Sequence, residues 1–255
     1  MYTPSVRNGQ GAFLLKGGIA LAQDSLHLLS RFPQRKTTLQ KQQFRQEVQG
    51  FFKELGYAAT EEPGSFGCCN LVAGNPESAT YLLTAHYDSS TGNNTAGILA
   101  LLEIAEAIPE GCRNRVCFVL FDRTVMGLTG GRAYRRTHKA ATDKQLVLNL
   151  DLPCCGDRIA FVPTKELKKD RKKLTDLYRA CGYFGKKSLL VQEKKVNAFS
   201  SEQRFFPYAA GIHVLKKGKL GWNTAKSHSC EIPEPTNINI LRAALTSFLC
   251  CDAGK

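Results

Sequence analysis

The sequence predicts an α/β fold in which one mostly parallel sheet carries helices on both faces, a three-layer α/β/α sandwich. Three observations predict it. Strand-like and helix-like segments alternate from about residue 37 to residue 251. Arg115-Val-Cys-Phe-Val-Leu-Phe121 is apolar almost throughout, as a strand buried on both faces must be. A chain of 255 residues with 43% apolar content is also long enough to bury a sizeable core. No linker, repeat or low-complexity segment interrupts it, so residues 1–255 are read as a single domain.

Residues 11–32 read as an amphipathic helix. Lys16, Asp24 and His27 interrupt the apolar run, and no small-residue cleavage site follows, which argues against a signal peptide. The next helix spans 37–56: Phe44, Val48, Phe51, Phe52 and Leu55 recur at helical spacing, Thr37 or Thr38 caps it and Gly56 ends it. Together these form an N-terminal helical segment, about 1–56, packed on the rest. Short strands follow at 68–73 and 80–85. A helix over 95–108 presents Ile98, Leu101, Leu102, Ala105 and Ile108 on one face and stops before Pro109. The strand at 115–121, a helix at 127–139, strands at 146–151 and 158–162 and a basic helix at 165–181 come next. Strands near 187–191 and 211–215 precede a last helix over 236–251, entered through Pro233 and Pro235.

No run of eighteen apolar residues exists, so no membrane span is expected and the chain is placed in the cytoplasm. The ten cysteines include three adjacent pairs, Cys68-Cys69, Cys154-Cys155 and Cys250-Cys251, which are poor disulfide partners. They read as small buried side chains in a reducing compartment. The net charge of +13 collects in the second half, as in Lys165-Glu-Leu-Lys-Lys-Asp-Arg-Lys-Lys173. These runs are rich in lysine and poor in interleaved aromatics, which speaks against nucleic acid. They leave a solvated basic face that an acidic partner could use.

In open α/β sheets functional groups gather at the carboxyl ends of strands. The strand at 80–85 delivers His86 and Asp88, the strand at 115–121 delivers Asp122-Arg123-Thr124-Val125, and the strand at 146–150 delivers Asp151. The stretch after 211–215 carries Asn223, His228, Cys230 and Glu231. A metal-binding imidazole needs its second nitrogen held by an acceptor, and Asp88 is placed to hold His86.

In this order the chain resembles the co-catalytic zinc aminopeptidases and glutaminyl cyclases, metallopeptidase family twenty-eight. The resemblance rests on His86-Tyr-Asp88, Gly92-Asn93-Asn94-Thr-Ala-Gly97, Phe121-Asp-Arg-Thr124-Val125-Met-Gly127-Leu128-Thr-Gly130 and Asn149-Leu-Asp151. Phe32-Pro33 and Ser201-Glu-Gln203 with Phe206 also fit, so it covers about residues 30–250. It implies a zinc-exopeptidase-like sandwich with a mixed, mostly parallel sheet. It assigns His86, Asp151 and a late histidine to metal. His228 is taken as that histidine, with Asn223 competing for the same position.

The departures matter more than the matches. The carboxylate that bridges two zinc ions in the family is Asn93 here, and a neutral amide cannot bridge two dications. The general base is Thr124, whose hydroxyl cannot take a proton from metal-bound water near neutral pH. The next ligand is Val125, which has no donor atom. Zinc requires three protein ligands even in open sites, so the expectation is no metal, or at most one weakly bound zinc at His86 and Asp151. Arg123, beside the vacated base position, is a candidate to pair with Asp151 and replace the missing charge. The chain is therefore read as a peptidase-like, non-hydrolytic protein whose site takes a peptide N-terminus or an amino acid. The alternatives are an active metallo-aminopeptidase with a rearranged mononuclear site and a partner-binding protein acting through its lysine-rich face.

Overall fold

Thr37 opens helix α1 (Thr38–Glu54) with a capping box: its hydroxyl accepts from the Gln40 amide, and the Gln40 side chain accepts from the Thr37 amide. The helix buries Phe44, Val48 and Phe52 and is followed by Gly56 at φ 83°, a left-handed turn that suits glycine. The computed structural model describes residues 25–89, 94–124, 126–151, 158–182, 188–190, 201–218, 221–224 and 235–251. Of the helix expected over 11–32, residues 25–30 are helical and those before 25 lie outside the described residues.

After α1 come β1 (Ala59–Pro63), β2 (Cys69–Ala73), β3 (Tyr81–His86), α2 (Thr95–Ala107), β4 (Val116–Phe121), α3 (Thr129–Thr137) and the single turn α4 (Lys139–Thr142). The remaining elements are β5 (Leu146–Leu150), β6 (Arg158–Pro163), α5 (Lys165–Lys169), α6 (Arg171–Gly182), β7 (Ser188–Leu190), β8 (Ala209–Gly218), β9 (Gly221–Thr224) and α7 (Pro235–Cys250). The helix expected over 127–139 is α3, and the basic helix expected over 165–181 is divided. His138 ends α3 and separates it from α4, its ring held by Glu77 and Glu62. Asp170 makes that division, because its carboxylate accepts the Lys173 amide and starts α6 afresh.

The nine strands among the described residues form one sheet in the order β1-β2-β4-β3-β5-β8-β6-β7, with β9 paired to β8. The four central strands, β4-β3-β5-β8, run parallel, and antiparallel pairings flank them. On one face α1, α2 and α7 pack with Leu83, Ala85, Phe118, Leu148 and Ile212. On the other Val72, Leu82, Cys117, Val119 and Phe121 pack under Tyr134 of α3 and Phe206. This is the expected α/β/α sandwich with a mixed sheet. No described helix is long and apolar enough to cross a membrane.

Candidate functional site

Register places the site. His86 pairs with Phe121, Ala85 with Leu150 and Leu150 with Ile212. The carboxyl ends of four adjacent parallel strands are thereby level, and His86, Asp151 and His213 stand side by side. The period of two puts all three on one face, in the series Leu82-Thr84-His86, Val147-Asn149-Asp151 and Ala209-Gly211-His213. Below them lies a buried polar seam. The Thr84 hydroxyl donates to Asn149 Oδ1 at 2.6 Å, and Asn149 Nδ2 donates to Ser201 Oγ at 2.6 Å.

His86 Nε2 lies 3.8 Å from Asp151 Oδ1, and His86 Nδ1 lies 3.6 Å from Asp88 Oδ1. Burial works against a charged imidazole, but Asp151 and Asp88 outweigh it and hold His86 up at about 10. Burial would push Asp151 up, yet His86 and His213 pull it down to about 2. His213 Nδ1 hydrogen-bonds the Asp151 carbonyl at 3.2 Å and lies 4.0 Å from Asp151 Oδ2.

The loop after β3 is held from three sides. Arg35, fully buried, donates to the carbonyls of Tyr87 at 2.6 Å and Phe32 at 2.7 Å and to Thr95 Oγ1 at 3.3 Å. Asn94, in a left-handed conformation, donates from Nδ2 to the Leu150 carbonyl at 2.9 Å and to that of His86 at 3.2 Å. Gly97 lets α2 cross these strand ends, since a Cβ there would lie 2.6 Å from the Leu150 carbonyl oxygen. Asp88 Oδ1 accepts the Thr124 amide at 3.0 Å and so ties this loop to the end of β4.

Thr124 donates its hydroxyl to Glu202 Oε1. Glu202 begins a short 3-10 turn, Glu202–Phe205, and is completely buried. Burial raises its carboxyl above the usual range, and His86 partly offsets this. Sequence reasoning placed Ser201-Glu-Gln203 in the family frame but gave neither Glu202 nor His213 a role. A lone histidine in an apolar strand and a glutamate in an irregular segment carry no spacing signal; strand register reveals the first and packing between distant segments the second.

Arg123 does not take the role expected of it. Its half-buried guanidinium lies 3.4 Å from Met126 Sδ, while Asp151 is matched by His86 and His213. The cause is local: Arg123 adopts φ 54°, with its amide on Asp122 Oδ1 at 2.8 Å, and Asp122 is itself paired to Lys41 at 2.6 Å. Asn93, Val125 and His228 lie outside the described residues, as do Cys154, Cys230 and Glu231. Asn223 falls in β9.

The zinc that the resemblance implies does not fit the described part of this site. No three His, Cys, Asp or Glu side chains among the described residues come together to hold a metal ion. His86 Nε2, the nitrogen free of Asp88, faces the Asp151 carboxylate itself.

A sequence model of Peptidase family M28 matches residues 69–236. No curated protein sequence matches the chain at a significant level. Solved structures share its fold. A glutaminyl cyclase of Porphyromonas gingivalis superposes with TM-score 0.66 at 15% identity, covering 91% of this chain and 96% of that one. A Zn-dependent exopeptidase of Parabacteroides distasonis gives 0.65 at 13% identity, with 93% and 98% covered. The LapA aminopeptidase of Legionella pneumophila gives 0.70 at 10% identity, with 94% and 74% covered.

Proposed function

Because the chain belongs to Peptidase family M28, we infer that this peptidase-like protein binds a peptide N-terminus or an amino acid at the ends of β3, β4 and β5 without cleaving it. One observation carries the reading: at the position of the family's general base, the Thr124 hydroxyl is spent on the Glu202 carboxylate. Around it His86 is set between Asp88 and Asp151. Position 124 itself offers no carboxylate to activate water, and a threonine held as a donor cannot act as a base. Zinc is absent or at most weakly bound in this reading.

The test is metal content together with turnover. Purified protein should carry far less than one zinc per chain and should leave aminoacyl-fluorophore substrates intact with added zinc or cobalt. Near-stoichiometric zinc would overturn the reading. So would turnover that His86→Ala abolishes.

A further inference from the structure

The parallel strands end at one pole in the candidate site, and at the other pole they start beside cations drawn from three helices. The Leu146 amide bonds the Thr80 carbonyl at 3.2 Å, that of Val147 the Tyr208 carbonyl at 2.9 Å, and that of Thr164 the Ala209 carbonyl at 2.8 Å. The starts of β3, β5 and β8 are therefore level with the end of β6. Lys139 begins α4, Lys144 follows it just before β5, and Lys165 opens α5 directly after Thr164. Six of the nine residues from Lys165 to Lys173 are lysine or arginine. Most acids here are spent. Asp143 pairs with Arg135 and Asp170 with Lys173 at 3.3 Å, while Glu77 bonds the His138 ring at 2.8 Å. Among the described residues no ion pair holds Lys139, Lys144, Lys165, Lys168, Lys169 or Lys172, and all but half-buried Lys168 are exposed. Such a cluster repels itself, and an acidic surface relieves it.

The chemistry of the cluster says which surface. An ammonium is a hydrated point charge without a planar fork, suited to a diffuse negative field rather than to one phosphate or carboxylate gripped bidentately. Nucleic acid would also need ring faces for its bases, yet the Tyr208 ring beside these cations is covered by Lys173 Nζ, 4.0 Å from its centroid. The cluster spans both helix layers, since α5 and α6 pack with α7 through Leu167 and Leu177 whereas α4 follows α3 on the opposite face. A cationic field that wide matches a bilayer rather than one extended peptide. Leu167 and Leu177 turn fully into the core, so α5 and α6 offer charge and no apolar wedge.

We propose that this pole docks the protein on a bilayer with acidic headgroups, by charge and without insertion, and leaves the strand-end site facing away from the lipid. The test is co-sedimentation of the full chain with phosphatidylcholine vesicles containing about one quarter phosphatidylserine, against vesicles of phosphatidylcholine alone. At about 0.1 M salt the wild type should bind the acidic vesicles and not the neutral ones, and about 1 M salt should release it, because charges are then screened within about 3 Å. Each lysine near such a surface contributes about fivefold. Lys165→Gln, Lys168→Gln and Lys169→Gln together should therefore weaken binding about a hundredfold. Failure of the wild type to bind the acidic vesicles, equal binding to the neutral ones, or undiminished binding by the folded triple variant would each overturn the proposal. Tighter binding of the wild type to single-stranded DNA or to polyglutamate at the same salt would overturn the choice of lipid.

Discussion

Thr124→Glu restores the carboxylate that the family frame places at this position, and the structure predicts that it will destabilise the fold rather than repair the site. The new carboxylate would stand where the Thr124 hydroxyl now touches completely buried Glu202, on a loop already bonded to Asp88. Two carboxylate charges about 4 Å apart repel by about 4 kcal/mol at an effective dielectric of 20. One of the pair must then keep a proton, which raises its folded pKa above its unfolded value. Such a group stabilises at low pH and loses that contribution as pH rises through its folded pKa. The penalty of Thr124→Glu should therefore be small near pH 4 and approach about 4 kcal/mol at pH 7. Urea denaturation at the two pH values measures it. Glu202→Gln in the same chain should recover a large part of the loss at pH 7. A denaturation midpoint at pH 7 unchanged by Thr124→Glu alone would refute this reasoning. So would strictly additive effects in the double variant. By the same argument the triple reversion Asn93→Asp, Thr124→Glu and Val125→Glu recovers zinc only when Glu202 is also neutralised.

Arg35→Met removes the donors that hold the Tyr87 and Phe32 carbonyls and should cost about 3 kcal/mol in urea denaturation, and a loss below about 1 kcal/mol would contradict that role. Gly97→Ala places a methyl 2.6 Å from the Leu150 carbonyl oxygen and should cost about 2–3 kcal/mol, read as a lowered thermal midpoint. His138 sits between Glu77 at 2.8 Å and Glu62 at 3.1 Å; burial opposes its charge, but the two carboxylates raise it above its ordinary 6.5. Its stabilisation is complete below 6.5 and fades as pH climbs through the raised folded value, so the stability gap between wild type and His138→Gln should narrow with rising pH. A gap that widens with pH would refute it.

Much of the architecture was legible because it is local. The helix over 37–56 announced itself through Phe44, Val48 and Phe52, and the capping box of Thr37 and Gln40 formed as the residue types allow. Strand β1 was missed because Thr60-Glu-Glu-Pro63 has no apolar alternation, and it is a strand only through its pairing with β2. The break at Asp170 was missed for a related reason, since its side chain bonds the Lys173 amide, which helical periodicity does not register.

At the site the sequence by itself determined which donors are gone: Thr124 lacks a carboxylate and Val125 any donor atom, whatever the fold. It determined too that His86 and Asp151 end their strands. Only the tertiary structure decided what meets them. Strand order sets β8 beside β5 and so brings His213 to Asp151, while the tight turn at Arg123 directs its guanidinium to Met126. The contact of Glu202 with Thr124 spans 78 residues of chain. Periodicity reports which face a residue occupies, whereas the neighbours of a buried charge depend on strand register and on packing between distant segments, which no local pattern encodes.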